Sequence, residues 1–460
     1  MYQIDFQNPV HVFFIGIGGI SMSGLAEILL SEGFKVSGSD RQSSPLTETL
    51  EAQGVSVYYG QKKENLSVRP DLIVYTSAIK SDNPEFVAGK ELGVPFLTRA
   101  QLLGQMMKNY KIPIAVSGTH GKTTTTSMLS QILLEADTDP TLSIGGIFPA
   151  IGSNIRVGKS GYFVTEACEY TNSFLSFFPK IGIILNIEED HLDFFKDLAD
   201  IRNSFREFAR LLPPDGTLII NGDIPDVAEI TDSLDCRVIT YGSSDACDYY
   251  PKQITYDEWG RPSFTLAETG GRKETAYNLN VPGLYNVYNA VAAITAATLL
   301  GVDTQIIQKA LSDFRGTQRR FEYKGSLNGI SIIDDYAHHP TEITATLQAA
   351  QNYPHKTLWC VFQPHTYSRT KAFLSDFAKA LTLADRVILA DIYAAREKDT
   401  LGISSRTLQD EIKRLGTECE YFPSFEEIEK FILENCTKDD LLITMGAGDV
   451  VKVGENLLQK

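Results

Sequence analysis

The sequence is short of cysteine, of long apolar runs and, relative to acid, of basic residues. Its six cysteines (Cys168, Cys236, Cys247, Cys360, Cys419 and Cys436) are scattered, with no Cys-x-x-Cys pair. Neither a disulfide framework nor a cysteine zinc site is indicated, and a reducing cytoplasm is the expected setting. The longest largely apolar stretch, roughly Ala290 to Val302, is too short to span a bilayer, and Met1 to Val10 carries no basic leader region. No membrane partner is expected. With 42 basic against 58 acidic residues the net charge is −16, which would repel a nucleic-acid backbone. An anionic ligand must therefore be held by local groups.

What is present suits a large enzyme. The 460 residues, at about 150 per domain, suggest three domains, and 43% hydrophobic content is ample for their cores. Apolar runs bounded by glycine alternate with helical patterns, the mark of parallel sheets with crossover helices, so the expected class is α/β. The first block runs strand His11–Ile15, glycine turn, helix from about Met22 to Glu32 and strand Lys35–Ser39 ending at Asp40. Short units at Leu72–Thr76 and Val94–Leu97 follow, then a helix near Gln101–Lys108. The segment Asn109-Tyr110-Lys111-Ile112-Pro113 breaks the pattern and ends this block at residue 109. A second block, 110–314, has buried-strand candidates at Ile114–Ser117, Tyr162–Thr165, Ile181–Ile187 and Thr217–Ile220, and closes with helices at Asn286–Leu300 and Thr304–Phe314. Strand-like alternation between Asp248 and Val281 reads as a β excursion. The third block, 315–460, restarts the alternation at Ile330–Asp334, Leu358–Phe362, Arg386–Ala390 and Leu441–Met445. Rossmann-like outer domains around a central nucleotide-binding domain are the expected architecture.

The sharpest chemical signal is Gly118-Thr119-His120-Gly121-Lys122-Thr123-Thr124, placed between an apolar strand and a helix. Such a loop turns backbone N–H groups and a helix N-terminus toward phosphate, while the lysine reaches terminal phosphate oxygens and a hydroxyl binds Mg²⁺. The loop is shorter than the G-x-x-x-x-G-K-T template, whose first glycine would fall on Val116. A metal-holding acid is expected nearby, and strand Tyr162–Thr165 delivers Glu166 at its carboxyl end. The run Ile181–Ile187 leads into Glu188-Glu189-Asp190-His191-Leu192-Asp193, which reads equally as a second metal site or as a solvated acidic loop. Gly16-Ile17-Gly18-Gly19-Ile20-Ser21, with Ser39-Asp40 at the next strand end, imitates a dinucleotide fingerprint but has Ser21 in place of the third glycine. A diphosphate site, an NAD site and a plain structural turn all remain open for it. In the third block Asp334-Asp335-Tyr336-Ala337-His338-His339 follows a strand, and Arg315, Arg319 and Arg320 straddle the junction before it. These suit phosphate or carboxylate recognition across a cleft, or a solvated linker.

In order and combination, these segments resemble the Mur ligase family throughout the chain: GIGGISMSGLAEIL from Gly16, Ser77-Ala78-Ile79, GTHGKTT from Gly118, EACEYTNSFL from Glu166 and NIEEDHLD from Asn186. Further on they are GLYNVYNA from Gly283, GTQRRF from Gly316, DDYAHHPTE from Asp334, FQPHTYSR from Phe362 and MGAGD from Met445. The resemblance implies an ATP-dependent ligase joining L-alanine to the carboxylate of UDP-N-acetylmuramate through an acyl phosphate, with a recycling ligase that attaches a preformed stem peptide as the alternative. It implies ATP with Mg²⁺ or Mn²⁺ and a cytoplasmic, peptidoglycan-building role. Lys122 would contact phosphate, Thr123 and Glu166 would hold Mg²⁺, and His191 would organise a second metal. Asn286 and Asn289 would read adenine. Arg319 or Arg320 would meet the γ-phosphate, with Arg319 taken first, and one of Asp334 and Asp335 the ribose, with Asp334 taken first. His338 and Arg369 would bind alanine, and Gly16, Gly18, Gly19, Ser39, Asp40 and Ser77 the UDP moiety. The sequence departs from the family where EADESD becomes Glu166-Ala167-Cys168-Glu169-Tyr170-Thr171, at Tyr285 in place of a histidine and at Thr366 in place of an arginine.

Overall fold

A computed structural model describes every residue except 1, 77, 272 and 396. Three sheets follow one another along the chain, and the expected three-domain α/β architecture is the one observed. The first comprises β1 (His11–Ile15), β2 (Lys35–Asp40), β3 (Ser56–Tyr59), β4 (Leu72–Tyr75) and β5 (Phe96–Thr98), in the order β3-β2-β1-β4-β5 and parallel throughout. The helix after β1 begins at Ile20, two residues ahead of the sequence expectation, with Gly19 as its cap.

The central sheet has ten strands. These are β6 (Ile112–Ser117), β7 (Thr141–Phe148), β8 (Ser153–Arg156), β9 (Tyr162–Glu166), β10 (Ile181–Ile184), β11 (Thr217–Asn221), β12 (Arg237–Tyr241), β13 (Tyr249–Tyr256), β14 (Pro262–Glu268) and β15 (Glu274–Asn278). Their order is β15-β14-β13-β12-β11-β10-β6-β9-β7-β8. The β13–β15 excursion is the antiparallel extension that the alternation pattern suggests. The β7–β8 hairpin on the other edge has no counterpart in the sequence reading. β10 stops at Ile184, short of Ile187, because Asn186 turns its amide onto the backbone of His120: His120 N–H donates to Asn186 Oδ1 at 2.7 Å and Asn186 Nδ2 donates to His120 O at 3.1 Å. The third sheet runs β16 (Glu322–Leu327), β17 (Ile330–Asp335), β18 (Leu358–Phe362), β19 (Arg386–Leu389), β20 (Glu418–Tyr421) and β21 (Leu441–Met445), in the order β16-β17-β21-β18-β19-β20 with only β16 antiparallel.

The seams between domains differ in kind. One apolar layer runs from the first domain (Val12, Phe14, Leu25, Met106) straight into the central domain (Phe163, Phe174, Phe205, Leu218), burying all of these side chains together. Tyr110 stacks on Phe163 with ring centroids 4.8 Å apart. The approach is so close that a Cβ on Gly104 would lie 1.9 Å from the carbonyl oxygen of Ser176. The third domain keeps its own two apolar layers. At the cavity described below, it meets the central domain through polar side chains.

The Gly104 contact is with backbone, which has little freedom to yield. Gly104→Ala is expected to destabilise the chain by about 1–3 kcal/mol, the usual cost of forcing extra volume into a packed seam. A denaturant or thermal melt checks this, and an unshifted midpoint would show that the seam can relax.

Candidate active site

The site grows from the carboxyl ends of three adjacent central strands. β6 lies between β9 and β10, with Val116 opposite Glu166 and Ser117 opposite Ile184, so the loops leaving these strands emerge side by side. Between β6 and the helix Lys122–Glu135 the backbone must reverse tightly. Gly118 (φ 139°) and Gly121 (φ 84°, capping the helix) take conformations costly for other residues. At Gly121 a Cβ would also fall 2.5 Å from Asn289 Oδ1, so this glycine opens the space in front of the asparagine pair.

Lys122 does not project into open space. Its Nζ donates to Gly118 O at 2.5 Å and Thr119 O at 3.0 Å, and to both carboxylate oxygens of Glu169 at 3.2 and 2.9 Å. Burial works against its charge, but Glu169 outweighs burial and the lysine is held firmly protonated. Thr123 Oγ1 donates to Glu166 Oε2 at 3.1 Å, and Gly145 N–H donates to Glu166 Oε1 at 2.5 Å. Burial raises the Glu166 pKa against these hydrogen bonds and against the nearby Arg320 and Lys122 charges. A hydroxyl and a carboxylate oxygen side by side form the hard-oxygen donor set that Mg²⁺ prefers, so these two residues fit the metal.

A second polar group gathers where the third domain meets the loop after β10. His191, in the left-handed region at φ 52°, stacks on Tyr170 and places Nε2 3.9 Å from Glu169 and 3.7 Å from Asp190. Arg369 Nη2 donates to Asp190 Oδ1 at 2.7 Å. Buried Glu342 takes His120 Nδ1 at 3.1 Å on one oxygen and His338 N–H at 3.0 Å on the other, tying the phosphate-loop segment to the third domain. His120 is raised to about 9: burial opposes its charge, but Glu188 and Glu342 more than compensate. His339 is lowered to about 4 by burial and by the neighbouring His120 charge.

His120, Glu188 and His339 offer ligand atoms within 4.8 Å of one another. His339 Nδ1 accepts the Thr341 N–H at 3.3 Å, and the Nε2 atoms of His120 and His339 are buried.

The groups enclose a cavity of about 460 Å³ lined by the phosphate loop, Glu166, His191, Asn286, Asn289, Arg320, Asp335 and His338. Asn286 and Asn289 sit on one face of the helix Leu284–Leu299 and are linked, Asn289 Nδ2 donating to Asn286 Oδ1 at 3.2 Å. Tyr285 lies beside them, its hydroxyl pKa pushed up by burial and by Asp335.

Two expected residues are displaced by one position. Arg319 faces away from the cavity: Nε donates to fully buried Asp334 at 2.9 Å, and its other nitrogens donate to Gly448 O and Gly446 O at 2.9 and 2.7 Å. Thr444 also donates to Asp334. Neighbouring residues on a strand point to opposite faces, so Asp335 reaches the cavity because Asp334 does not. Burial pushes Asp335 up to about 6 against the pull of Arg320. Asp335 accepts the N–H groups of Phe321 and Ala337, which places Arg320 and Asp335 on the same wall.

The expected sugar-nucleotide residues form a separate locus, and none of the described ones lines the cavity. Gly16 turns at φ 85°, and Gly18 N–H donates to Asp40 Oδ2 at 2.8 Å, so Asp40 braces the glycine turn. Ser39 is fully buried and gives its hydroxyl to Glu85 at 2.6 Å, so its side chain faces away from any ligand at this turn. Gly19 caps an exposed helix start. Ser77 lies outside the described residues. Sequence reasoning gave no role to Glu169, Glu342 or Asn186. Their signal lay in the quoted motifs, but which partner each would meet depended on pairings across more than 40 positions.

Family models match nearly the whole chain: "Mur ligase family, catalytic domain" over residues 11–111, "Mur ligase middle domain" over 116–297 and "Mur ligase, glutamate ligase domain" over 319–448. The chain belongs to the Mur ligase family. It is 60% identical, over all of both chains, to the UDP-N-acetylmuramate–L-alanine ligases of Agathobacter rectalis and of Lachnospira eligens. Among solved structures it is similar to the UDP-N-acetylmuramate-alanine ligase MurC of Thermotoga maritima (30% identity, TM-score 0.81, 98% of each chain). It is also similar to a murein peptide ligase of Psychrobacter arcticus (27%, TM-score 0.71, 98% of each). Among the described residues of this Mur ligase, no helix is long and apolar enough to cross a membrane.

The two arginines are expected to behave differently. Arg319→Ala strands the buried Asp334 carboxylate and should destabilise the protein by about 3 kcal/mol. Arg320→Ala should leave the stability within about 1 kcal/mol of wild type while sharply reducing ATP turnover. Parallel melts and phosphate-release assays check this, and a reversed pattern would return the phosphate-facing role to Arg319.

Proposed function

We propose that this chain is an ATP-dependent ligase that joins L-alanine to the carboxylate of UDP-N-acetylmuramate, in the cytoplasm, as a step in building peptidoglycan precursors. The observation that carries this reading is 60% identity, end to end, with ligases of that name. The cavity chemistry supports it. Phosphoryl transfer needs positioning and charge neutralisation rather than a protein nucleophile, and Lys122, Arg320 and the phosphate loop line one cavity.

In the proposed reaction the γ-phosphoryl group of ATP passes to the muramyl carboxylate, giving an acyl phosphate. The alanine amine attacks, and the tetrahedral intermediate expels phosphate to leave the amide. Lys122, released from Glu169, and Arg320 hold the phosphates. Asn286 and Asn289 present amide donor and acceptor atoms to adenine, and Asp335 accepts from the ribose. These assignments put Arg320 and Asp335 in the roles first given to Arg319 and Asp334, whose side chains brace the third domain instead. Thr123 and Glu166 would hold Mg²⁺, with Mn²⁺ an alternative and His191 an organiser of a second ion; such a cation supplies neutralisation of the phosphate oxygens. Residues 1–109 take the UDP sugar at the Gly16–Gly19 turn, residues 110–314 bind ATP, and residues 315–460 present His338 and Arg369 to the amino acid.

A recycling activity on preformed stem peptide is the second reading, favoured by the likeness to solved murein peptide ligases, that of Psychrobacter arcticus among them. Phosphate release from ATP and Mg²⁺ with UDP-N-acetylmuramate, run with no amine, L-alanine or a stem tripeptide, separates the two. Release with alanine and a product of matching mass is expected, whereas release with tripeptide alone would move the assignment to recycling. Lys122→Ala should abolish that release with the fold intact; retained activity would remove the lysine from its phosphate role. Arg369→Ala should raise the KM for L-alanine by about 10- to 100-fold, the loss of a charged hydrogen-bond pair, with little change in the KM for ATP.

A further inference from the structure

Arg369 already carries a carboxylate. Asp190 Oδ1 accepts from its Nη2 at 2.7 Å, and both side chains are nearly buried, 10% exposed for the arginine and 8% for the aspartate. The two come from different domains, Asp190 from the loop after β10 and Arg369 from the helix Tyr367–Ala372. Asp190 is held in place by its own backbone, His191 N–H donating to the same Oδ1 at 2.7 Å, and Oδ2 lies 3.7 Å from His191 Nε2. On the other side of the guanidinium Nη1 meets His365 Nδ1 at 3.4 Å.

We infer that Asp190 is an internal competitor for the carboxylate of the incoming amino acid, occupying Arg369 in the substrate-free chain and ceding it when the amino acid binds. The inference rests on the reading that Arg369 receives that carboxylate. A side-chain carboxylate and an α-carboxylate present the same two oxygens and the same charge to a guanidinium. Two carboxylates in one partly buried space repel, so the newcomer must displace the resident. The displaced Asp190 keeps its tie to the His191 backbone and turns its charge toward the imidazole. The apparent affinity for the amino acid is therefore the intrinsic affinity of Arg369 less the strength of the internal pair. Asp190 thereby acts as a positioning residue that sets how much free amino acid is needed and disfavours ligands without a carboxylate able to replace it.

The sign of the effect distinguishes this from bracing. If Asp190 merely held the loop in place, removing it would loosen amino-acid binding; as a competitor, its removal tightens it. The test is calorimetric titration of L-alanine into the full chain loaded with Mg²⁺, UDP-N-acetylmuramate and a non-hydrolysable ATP analogue, which reads binding without turnover. Asp190→Asn and Asp190→Ala should each lower the Kd for L-alanine by about threefold or more, the size of one partly buried charge pair, with the Kd of the ATP analogue unchanged. An unchanged or raised Kd for L-alanine in both variants overturns the inference. Arg369→Ala titrated alongside keeps the two claims apart. If it leaves alanine binding as in wild type, Arg369 is not the carboxylate site and the underlying reading fails. If it weakens binding while the Asp190 variants do not tighten it, only the competition fails.

Discussion

The pairing of β6 between β9 and β10 is the constraint on which the site depends. A parallel sheet puts the carboxyl ends of neighbouring strands on one edge, and here that edge receives the phosphate loop, Glu166 and the Glu188–His191 segment within hydrogen-bonding reach. Each loop is then secured to the next by side chains and not by further strand: Asn186 to the His120 backbone, Thr119 to Glu188 N–H, Glu166 to Gly145. The excess of negative charge in the chain is turned to use at this edge. Two cations at this edge are answered by internal acids, Lys122 by Glu169 and Arg369 by Asp190.

Those internal pairs account for how a ligand-free chain tolerates buried positive charge. An unpaired lysine or arginine in such surroundings would be costly, and pairing with a carboxylate removes most of that cost until an anionic ligand takes its place. The third domain shares in the arrangement. Its ties at the cavity run through Glu342 to His120, Arg369 to Asp190 and Thr341 to Glu188, all polar. Contacts of this type exchange readily with ligands or water.

The sequence made the architecture legible because hydrophobic alternation and glycine punctuation are local properties, and the strand–loop–helix setting of Lys122 marked the loop that lines the cavity. What escaped it was the direction of side chains. Asp334 and Asp335, or Arg319 and Arg320, are equivalent as letters, yet one of each pair faces the cavity and the other locks β17 to the Gly446–Gly448 turn. The family resemblance put Ser39 among the UDP contacts, but Glu85, far along the chain, claims its hydroxyl. The extent of β10 depended likewise on Asn186 finding His120. Each of these is decided by a partner distant in sequence, which no local pattern records.

The apolar layer shared by the first two sheets means that three sheets do not make three cooperative units. Phe14, Met106, Phe163 and Phe174 lie in one continuous interior, so the first two domains are coupled by shared apolar burial, whereas the third domain has apolar layers of its own that Tyr285 of the central domain joins at the edge. A truncation after the first domain would expose the layer that both partners bury and leave an adhesive face.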